Sequence, residues 1–365
     1  MRLPLYIFAG GGTGGHLYPG LAVAEELLRL RPGAKVVFAC SNRAIDRRIL
    51  DRRPYAVIPQ PVRPLPRRAG EALLFLRAWR RSGRLARDLL RDLRPAAVLG
   101  LGGFAAGPVL KHAERAGVRA ALLNPDAVPG KANRYLAGRV EAIFTQFDST
   151  AEHFGSRGRG KVRAVGCPVR SELTAAGRDE AIRHFGLDAD KHTLLVLGGS
   201  LGAEPINKAV AALAADFSPL ADAWQILHIV GPGAGRAVVG GAGLPGDRLE
   251  YCEHMDLAYA AADLALCRGG AVTIAELAVT ATPAVILPYP HHADRQQHLN
   301  AAALAEAGAA LVCEDAIDAA RNAETLRSAL LPLLSAPGRL ADMRKAVGEL
   351  ARGSAAAEVA GWLVG

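Results

Sequence analysis

Long apolar runs are missing from this 365-residue chain. Half of its residues are hydrophobic, yet no uninterrupted stretch reaches the roughly 18 residues that a membrane span needs. A soluble or peripheral protein is expected. Cysteine is scarce: Cys40, Cys167, Cys252, Cys267 and Cys313 are odd in number, scattered and never paired as Cys-x-x-Cys. That pattern argues against a disulfide framework and against a zinc site. An export signal is not expected either, because the short apolar run at the start leads into glycines without a small-residue cleavage site. The cytoplasm is the expected setting. No low-complexity linker is longer than the glycine-rich turn 231–246.

Glycine, by contrast, is abundant where it matters. Ala9-Gly10-Gly11-Gly12-Thr13-Gly14-Gly15-His16 lies between an apolar run, Leu3 to Phe8, and a helical pattern from Leu21 to Leu30. It reads as a strand-to-helix turn whose glycines and free amides suit an anion or a polar oxygen. Gly10-x-Gly12-x-x-Gly15 also satisfies the dinucleotide fingerprint, which expects an acid about 20 residues on, at the end of the second strand. Here that strand, Lys35 to Ala39, ends in Cys40-Ser41-Asn42, so the nicotinamide reading loses its support. His16 sits at the helix start, where the dipole disfavours an imidazolium. A neutral histidine among glycines is suited to be a general base; the plainer alternative is that it only hydrogen-bonds the turn.

A second glycine turn, Gly100 to Pro108, follows a strand at Ala97 to Leu101, and further strands are expected at Arg119 to Leu123, Val140 to Thr145 and Val162 to Val165. This alternation implies a parallel, doubly wound sheet with ligands beyond the carboxyl ends of its strands. The pattern then restarts. Arg178 to His184 reads as a short helix, and Leu194 to Leu197 enters Gly198-Gly199-Ser200-Leu201-Gly202-Ala203, about half a chain after Gly10. Further strands are expected at Trp224 to Val230, Leu249 to Tyr251, Leu264 to Cys267, Ala284 to Leu287 and Ala310 to Cys313. Two nucleotide-fold domains in tandem are expected, which fits the length. The expected boundaries are 1–165, 166–336, and a helical tail, 337–365, packing back on the first domain.

The net charge of +9 is concentrated. Ten arginines between Arg63 and Arg94 face only Glu71, Asp88 and Asp92, and Leu73, Leu74, Phe75, Leu76 and Trp79 lie among them. Arginines flanking bulky apolar residues on one helix are what an anionic membrane surface attracts. An ordinary amphipathic helix with a solvated basic face is the alternative. No recognised nucleic-acid module accompanies the arginines, so nucleic acid is not expected as a partner.

The second half carries the denser polar set. Cys267-Arg268-Gly269-Gly270-Ala271-Val272-Thr273 is a strand end, a glycine pair and a helix start, with amides available for phosphate. Glu276, a turn further on, can accept hydrogen bonds from the vicinal hydroxyls of a ribose. The loop Pro288 to Asn300 offers Asp294, Gln296, Gln297 and Asn300 to sugar hydroxyls. Its His291, His292 and His298 match no zinc spacing, and no metal is expected.

In this order, Gly11 to His16 with Pro19, Gly102-Gly103-Phe104, Val128-Pro129-Gly130 with Asn133-Arg134, Gly166-x-Pro168-Val169-Arg170, Gly198-Gly199-Ser200, Gly269-Gly270-Ala271-x-Thr273-x-x-Glu276 and the Asp294 to Asn300 loop resemble the MurG-type N-acetylglucosaminyltransferases. The resemblance covers nearly the whole chain. It implies an α/β GT-B glycosyltransferase with two Rossmann-like domains facing a cleft, needing no cofactor and no metal. The implied reaction transfers GlcNAc from UDP-GlcNAc, with inversion, to the muramyl sugar of an undecaprenyl-diphosphate-linked peptide at the cytoplasmic face of the inner membrane. It implies His16 as catalytic base and places the donor on Thr13, Gly14, Asp126, Arg170, Ser200, Met255, Ala271, Val272, Thr273, Glu276, Gln296 and Gln297. The acceptor diphosphate would lie on Gly15, Gly102, Gly103 and Phe104, and the membrane on Leu73, Phe75, Leu76 and Trp79.

Three stretches depart from the family pattern. Leu123-Asn124-Pro125-Asp126 stands where the family usually has His-Glu-Gln-Asn, Leu201 where it often has Gln, and Ala106 in place of a common Ser. A related lipid glycosyltransferase, or a nucleotide-sugar-binding protein that has lost transfer, would also accommodate these changes. A nucleotide-sugar epimerase is less favoured, because a soluble substrate has no use for the basic apolar helix.

Overall fold

The computed structural model describes residues 3–51, 53–66, 68–233, 243–291 and 294–365. Arg67, His292 and most of the glycine-rich turn 231–246 therefore lie outside the described residues. The chain divides into two compact units, Met1–Arg170 with Gly353–Gly365, and Ser171–Arg352.

The first unit is built from β1 (Leu5–Gly10), α1 (Gly14–Leu30), β2 (Lys35–Ser41), α2 (Ala44–Leu50), β3 (Ala56–Gln60), α3 (Ala72–Leu93), β4 (Ala97–Gly102), α4 (Ala106–Arg115), β5 (Ala120–Asn124), α5 (Lys131–Leu136), β6 (Ala142–Thr145), a single-turn α6 (Ser156–Arg159) and β7 (Val162–Ala164). Its seven strands are ordered β3-β2-β1-β4-β5-β6-β7, and every pair is parallel. Successive side chains of a strand point to opposite faces, so a sheet covered on both sides needs apolar residues throughout. Tyr6 and Phe8 enter one core with Phe38, Leu99 and Leu21, while Ile7 and Ala9 enter the other with Val98, Val109 and Leu110. The order reverses between β1 and β4, which makes that pair the topological switch point where ligands of such sheets collect. Both glycine turns of this unit leave from those two strands.

The second unit repeats the plan with α7 (Arg178–Phe185), β8 (His192–Leu197), α8 (Glu204–Ala212), a short α9 (Ala214–Phe217), β9 (Trp224–Ile229), β10 (Gly246–Leu249), α10 (Met255–Ala261), β11 (Leu264–Cys267), α11 (Ala271–Val279), β12 (Ala284–Ile286), α12 (Gln296–Glu306), β13 (Ala310–Val312), α13 (Ala319–Leu334) and α14 (Pro337–Gly348). The strand order is β10-β9-β8-β11-β12-β13, again parallel. Its switch point lies between β8 and β11. The turns Gly198 to Ala203 and Arg268 to Gly270 leave from that pair.

Two expectations need correction. The tail does not pack as one piece: Leu340, Met343 and Val347 of α14 are buried, the first two in the core of the second unit, and the helix lies on α11 and α13. Only α15 (Ala355–Val364) returns to the first unit, where Val359 and Leu363 pack with α1 and Trp362 meets Phe144 edge-on. Periodicity marks both helices and names a partner for neither. The strand expected at Leu249 to Tyr251 runs instead from Gly246 to Leu249, an edge strand whose polar residues pair on one side only.

Candidate functional site

At the first switch point the imidazole of His16 spans the two glycine turns. Thr13 Oγ1 lies 3.1 Å from its Nδ1, and the ring also hydrogen-bonds the Gly11 backbone. On the other side it rests against the second turn: a β-carbon at Gly102 would sit 3.0 Å from His16 Cδ2 and 3.2 Å from Asn133 Nδ2. Gly102 also has φ of +94°, a conformation that side chains rarely adopt. Glycine is needed there on both counts. Asn133 Nδ2 donates to Asn124 Oδ1 at 2.8 Å, and Asn124 Nδ2 donates to the Asp126 carbonyl at 2.7 Å. The loop after β5 is thus tied to α5, whose Asn133 lies beside Gly102.

The pKa of His16 is lowered, first by burial, against the opposing pull of Asp126, the Gly11 bond and Asp46. A neutral imidazole is the result expected of a helix start, although desolvation outranks the other causes. Its free base form can take a proton at neutral pH.

Elsewhere in this unit the placements are mixed. Gly14 is buried, and Thr13 and Gly15 are exposed at the tip of the turn. Phe104 is half-buried beneath the Arg43 guanidinium, 5.2 Å from its ring centroid. Asp126 is half-buried. Arg170, expected in the second domain, belongs to the first unit, where it is buried with its guanidinium over the Tyr18 ring at 4.9 Å. The turn amides are not all free, as the spacing suggested: Gly12 N donates to Asp46 Oδ1 at 2.7 Å. Asp46 escaped the sequence reading, since a lone acid in Ala-Ile-Asp-Arg-Arg carries no signal of its own.

On α3, Leu73, Leu74 and Leu76 are exposed. Phe75 stacks on Trp79, whose ring lies against Gly107 of α4. The leucines are therefore the apolar residues that this helix presents outward, while Trp79 also serves to hold α3 on α4. Among the described residues no helix is long and apolar enough to cross a membrane.

At the second switch point α11 begins at Ala271 directly after Gly270, with Ala271 buried and Val272 and Thr273 half-buried. Glu276 is buried, and Tyr259 donates its hydroxyl to Oε2 at 3.1 Å. Gln297 Oε1 accepts from Gly269 N at 3.2 Å and Tyr289 N at 2.8 Å, and Asn300 Nδ2 donates to the Gly269 carbonyl at 3.0 Å. Gln297 and Asn300 thereby hold the loop after β12 against the glycine pair. Gln296 opens α12 with its backbone N–H on Asp294 Oδ1 at 3.3 Å. Arg268, buried, donates to the Leu287 and Pro288 carbonyls and to Asp315 Oδ2 at 2.7 Å. Ser200 is half-buried in the turn after β8, the neighbouring Leu201 is 77% exposed, and Met255 opens α10 half-buried. Burial pushes the Cys267 thiol up to about 12, so the cysteine beside this turn is no nucleophile at neutral pH. No group of three metal-ligating side chains occurs among the described residues.

Two parallel α/β units, each with a pair of glycine turns at its switch point, place the chain in the GT-B class of glycosyltransferase folds. Residues 6–145 match the N-terminal domain model of glycosyltransferase family 28 and residues 193–359 its C-terminal domain model. A crystal structure of Acinetobacter baumannii MurG superposes with a TM-score of 0.74 at 24% identity, covering 100% of this chain and 99% of that one. The UDP-GlcNAc 2-epimerase of Neisseria meningitidis shares the fold, with a TM-score of 0.68 at 14% identity and complete coverage of both chains. The chain is 40% identical over 346 residues to the UDP-N-acetylglucosamine–N-acetylmuramyl-(pentapeptide) pyrophosphoryl-undecaprenol N-acetylglucosamine transferase of Leifsonia xyli subsp. xyli, covering 93% of this chain and 92% of the relative. The enzyme of that name from an Anaeromyxobacter species is 35% identical over 365 residues, covering 97% and 91%. This chain belongs to that family, the MurG N-acetylglucosaminyltransferases of glycosyltransferase family 28.

Proposed function

We propose that the chain transfers GlcNAc from UDP-GlcNAc to the 4-hydroxyl of the muramyl sugar of an undecaprenyl-diphosphate-linked muramyl pentapeptide, converting lipid I to lipid II. The observation that carries this reading is the neutral His16 held between two glycine turns at the switch point, in a chain whose close relatives bear that enzyme's name. The acceptor hydroxyl gives its proton to His16. Its oxygen bonds to the anomeric carbon as the bond from that carbon to the diphosphate oxygen breaks, and UDP leaves with the electron pair, so the centre inverts. Charge growing on the diphosphate is met by the amides at the start of α11, by Ser200 and by Arg170. Glu276 takes the ribose, Met255 lines the uracil, and Gln296 orients the sugar. Gln297 acts on the sugar with its amide nitrogen, since its oxygen is committed to Gly269 and Tyr289.

The acceptor diphosphate rests on Gly15, Gly102, Gly103 and Phe104. Leu73 and Leu76, among the arginines of α3, set the protein on the anionic cytoplasmic face of the membrane as a peripheral protein. Phe75 supports the same face. The test is release of UDP from UDP-GlcNAc with and without the muramyl-pentapeptide lipid, in detergent. Release only with that lipid supports the transferase. UDP-GlcNAc binding without release would overturn it in favour of a binding protein. His16→Ala should abolish most turnover while the donor still binds; unchanged turnover would remove His16 from the mechanism.

A further inference from the structure

The peptide at Gly12 is gripped at both ends. Asp46, fully buried in the first turn of α2, accepts from Gly12 N at 2.7 Å, from Ser41 N at 3.0 Å and from Ser41 Oγ at 2.6 Å. Arg43 donates from Nη1 to the Gly12 carbonyl at 3.1 Å. The two flanking residues carry the hydrogen bonds of His16: the Gly11 backbone on one side and Thr13 Oγ1 on the other. Gly11 and Gly12 have φ of +143° and +93°. Two consecutive glycines in that region have no side chains to restrict them, so an unrestrained turn would lose its geometry. A β-carbon at Gly11 would collide with Asp46 Oδ2, which shows how closely the carboxylate approaches the turn.

We propose that Asp46 and Arg43 form a clamp on the Gly12 peptide, and that Asp46 is the positioning residue that holds His16 in register for proton abstraction. This rests on the transferase reading for its catalytic consequence, though the clamp itself does not. The carboxylate also gives the base part of its basicity. The charged groups that act on His16 are Asp46 from α2 and Asp126 from the loop after β5. The first turn of α1 has no acid, and the turn Gly102 to Ala105 has no charged residue.

The experiment compares wild type with Asp46→Asn, Ser41→Ala and Arg43→Gln. It follows three readouts: kcat/KM for the lipid acceptor between pH 5 and 9, the Kd of UDP-GlcNAc, and the titration of the His16 imidazole by NMR, assigned with His16→Gln. Asp46→Asn should lower acceptor kcat/KM about 100-fold, the scale of an ångström of misplacement, and leave the donor Kd unchanged. It should also move the acid limb and the His16 titration to lower pH, because a neighbouring negative charge has gone. Ser41→Ala keeps the charge, so the titration stays and the rate falls less. Arg43→Gln, at an exposed position that buries no charge, should cost about 10-fold in acceptor kcat/KM, the worth of one such hydrogen bond. It decides the clamp if Asp46→Asn does not fold. A His16 titration unmoved in Asp46→Asn, one that moves equally in Ser41→Ala, or an Arg43→Gln enzyme as fast as wild type would each overturn the proposal. If wild type itself releases no UDP with the acceptor, the transferase reading fails, and the NMR titration still decides whether Asp46 governs His16.

Discussion

Replacing Glu276 by Gln should separate a ribose contact from mere packing. The carboxylate is buried on α11, with Tyr259, itself buried, donating to Oε2 at 3.1 Å. A rigid phenol therefore fixes the plane in which the remaining lone pairs point. Gln keeps the shape but removes the charge and turns one acceptor into a donor. Hydrogen bonds to a charged group contribute about 1.5–3 kcal/mol each, against roughly 0.5–1.5 kcal/mol for neutral pairs. Two ribose hydroxyls should then lose about 2–3 kcal/mol together, or roughly 30- to 150-fold in Kd at about 1.4 kcal/mol per decade. Calorimetry of UDP and of 2′,3′-dideoxy-UDP against both proteins isolates the contact. UDP should weaken by that factor, whereas the dideoxy nucleotide, with no hydroxyls to offer, should bind both proteins alike. Tyr259→Phe should weaken UDP less, by about 10-fold, and again spare the dideoxy form. Equal weakening of both nucleotides by Glu276→Gln would refute the reasoning, because the loss would then come from the helix or its packing.

Gly102→Ala should fold with a penalty of about 1–3 kcal/mol for its positive φ and lose about 100-fold in turnover, since the new methyl meets His16 Cδ2 at 3.0 Å. Donor affinity, measured alongside, should not change. His228, buried with Nε2 2.9 Å from Asn207 Oδ1, is depressed to about 4 by burial and by Arg248. A histidine whose folded pKa lies below its unfolded value near 6.5 leaves the fold fully stable above that pH and costs it stability below. The second unit should lose about 3 kcal/mol between pH 6.5 and 4 on this account. Denaturant unfolding followed by Trp224 fluorescence, with Trp79 and Trp362 replaced by Phe, reads that unit alone. An unchanged acid slope in His228→Gln would remove His228 as the cause. Leu73→Glu with Leu76→Glu, both at exposed positions, should abolish sedimentation with anionic vesicles and spare the activity on a detergent-solubilised acceptor; retained vesicle binding would move the membrane contact off α3.

What could be read from the chain was chemistry that is local in sequence. The turn Gly10 to His16 and the run Arg268 to Glu276 each join a strand end, a glycine turn, a helix start and a candidate side chain within a few residues, so both are visible from spacing alone. Asp46 is 34 residues from Gly12, and only the pairing of β1 with β2 brings them together. Its role was invisible because parallel strands place their ends side by side however far apart they lie in the chain. Two of the four edge strands, β3 and β10, were missed or misplaced for another reason. β3 carries Pro59, and β10 reads Gly-Asp-Arg-Leu; an edge needs only one bonded side and tolerates polar residues and proline, so neither shows the apolar run that marks a central strand. The assignment of Gln297 shows a further limit. A polar side chain next to a sugar site reads as a sugar contact, yet its oxygen is committed to two backbone amides of the loop. Residue type in a site indicates what bonds are possible; which of them the protein has already made must be taken from the fold. The same holds for Gly12, whose amide belongs to Asp46 and not to a substrate. At both switch points, then, part of the polar inventory is spent on building the turns themselves, and only the remainder is available to a ligand.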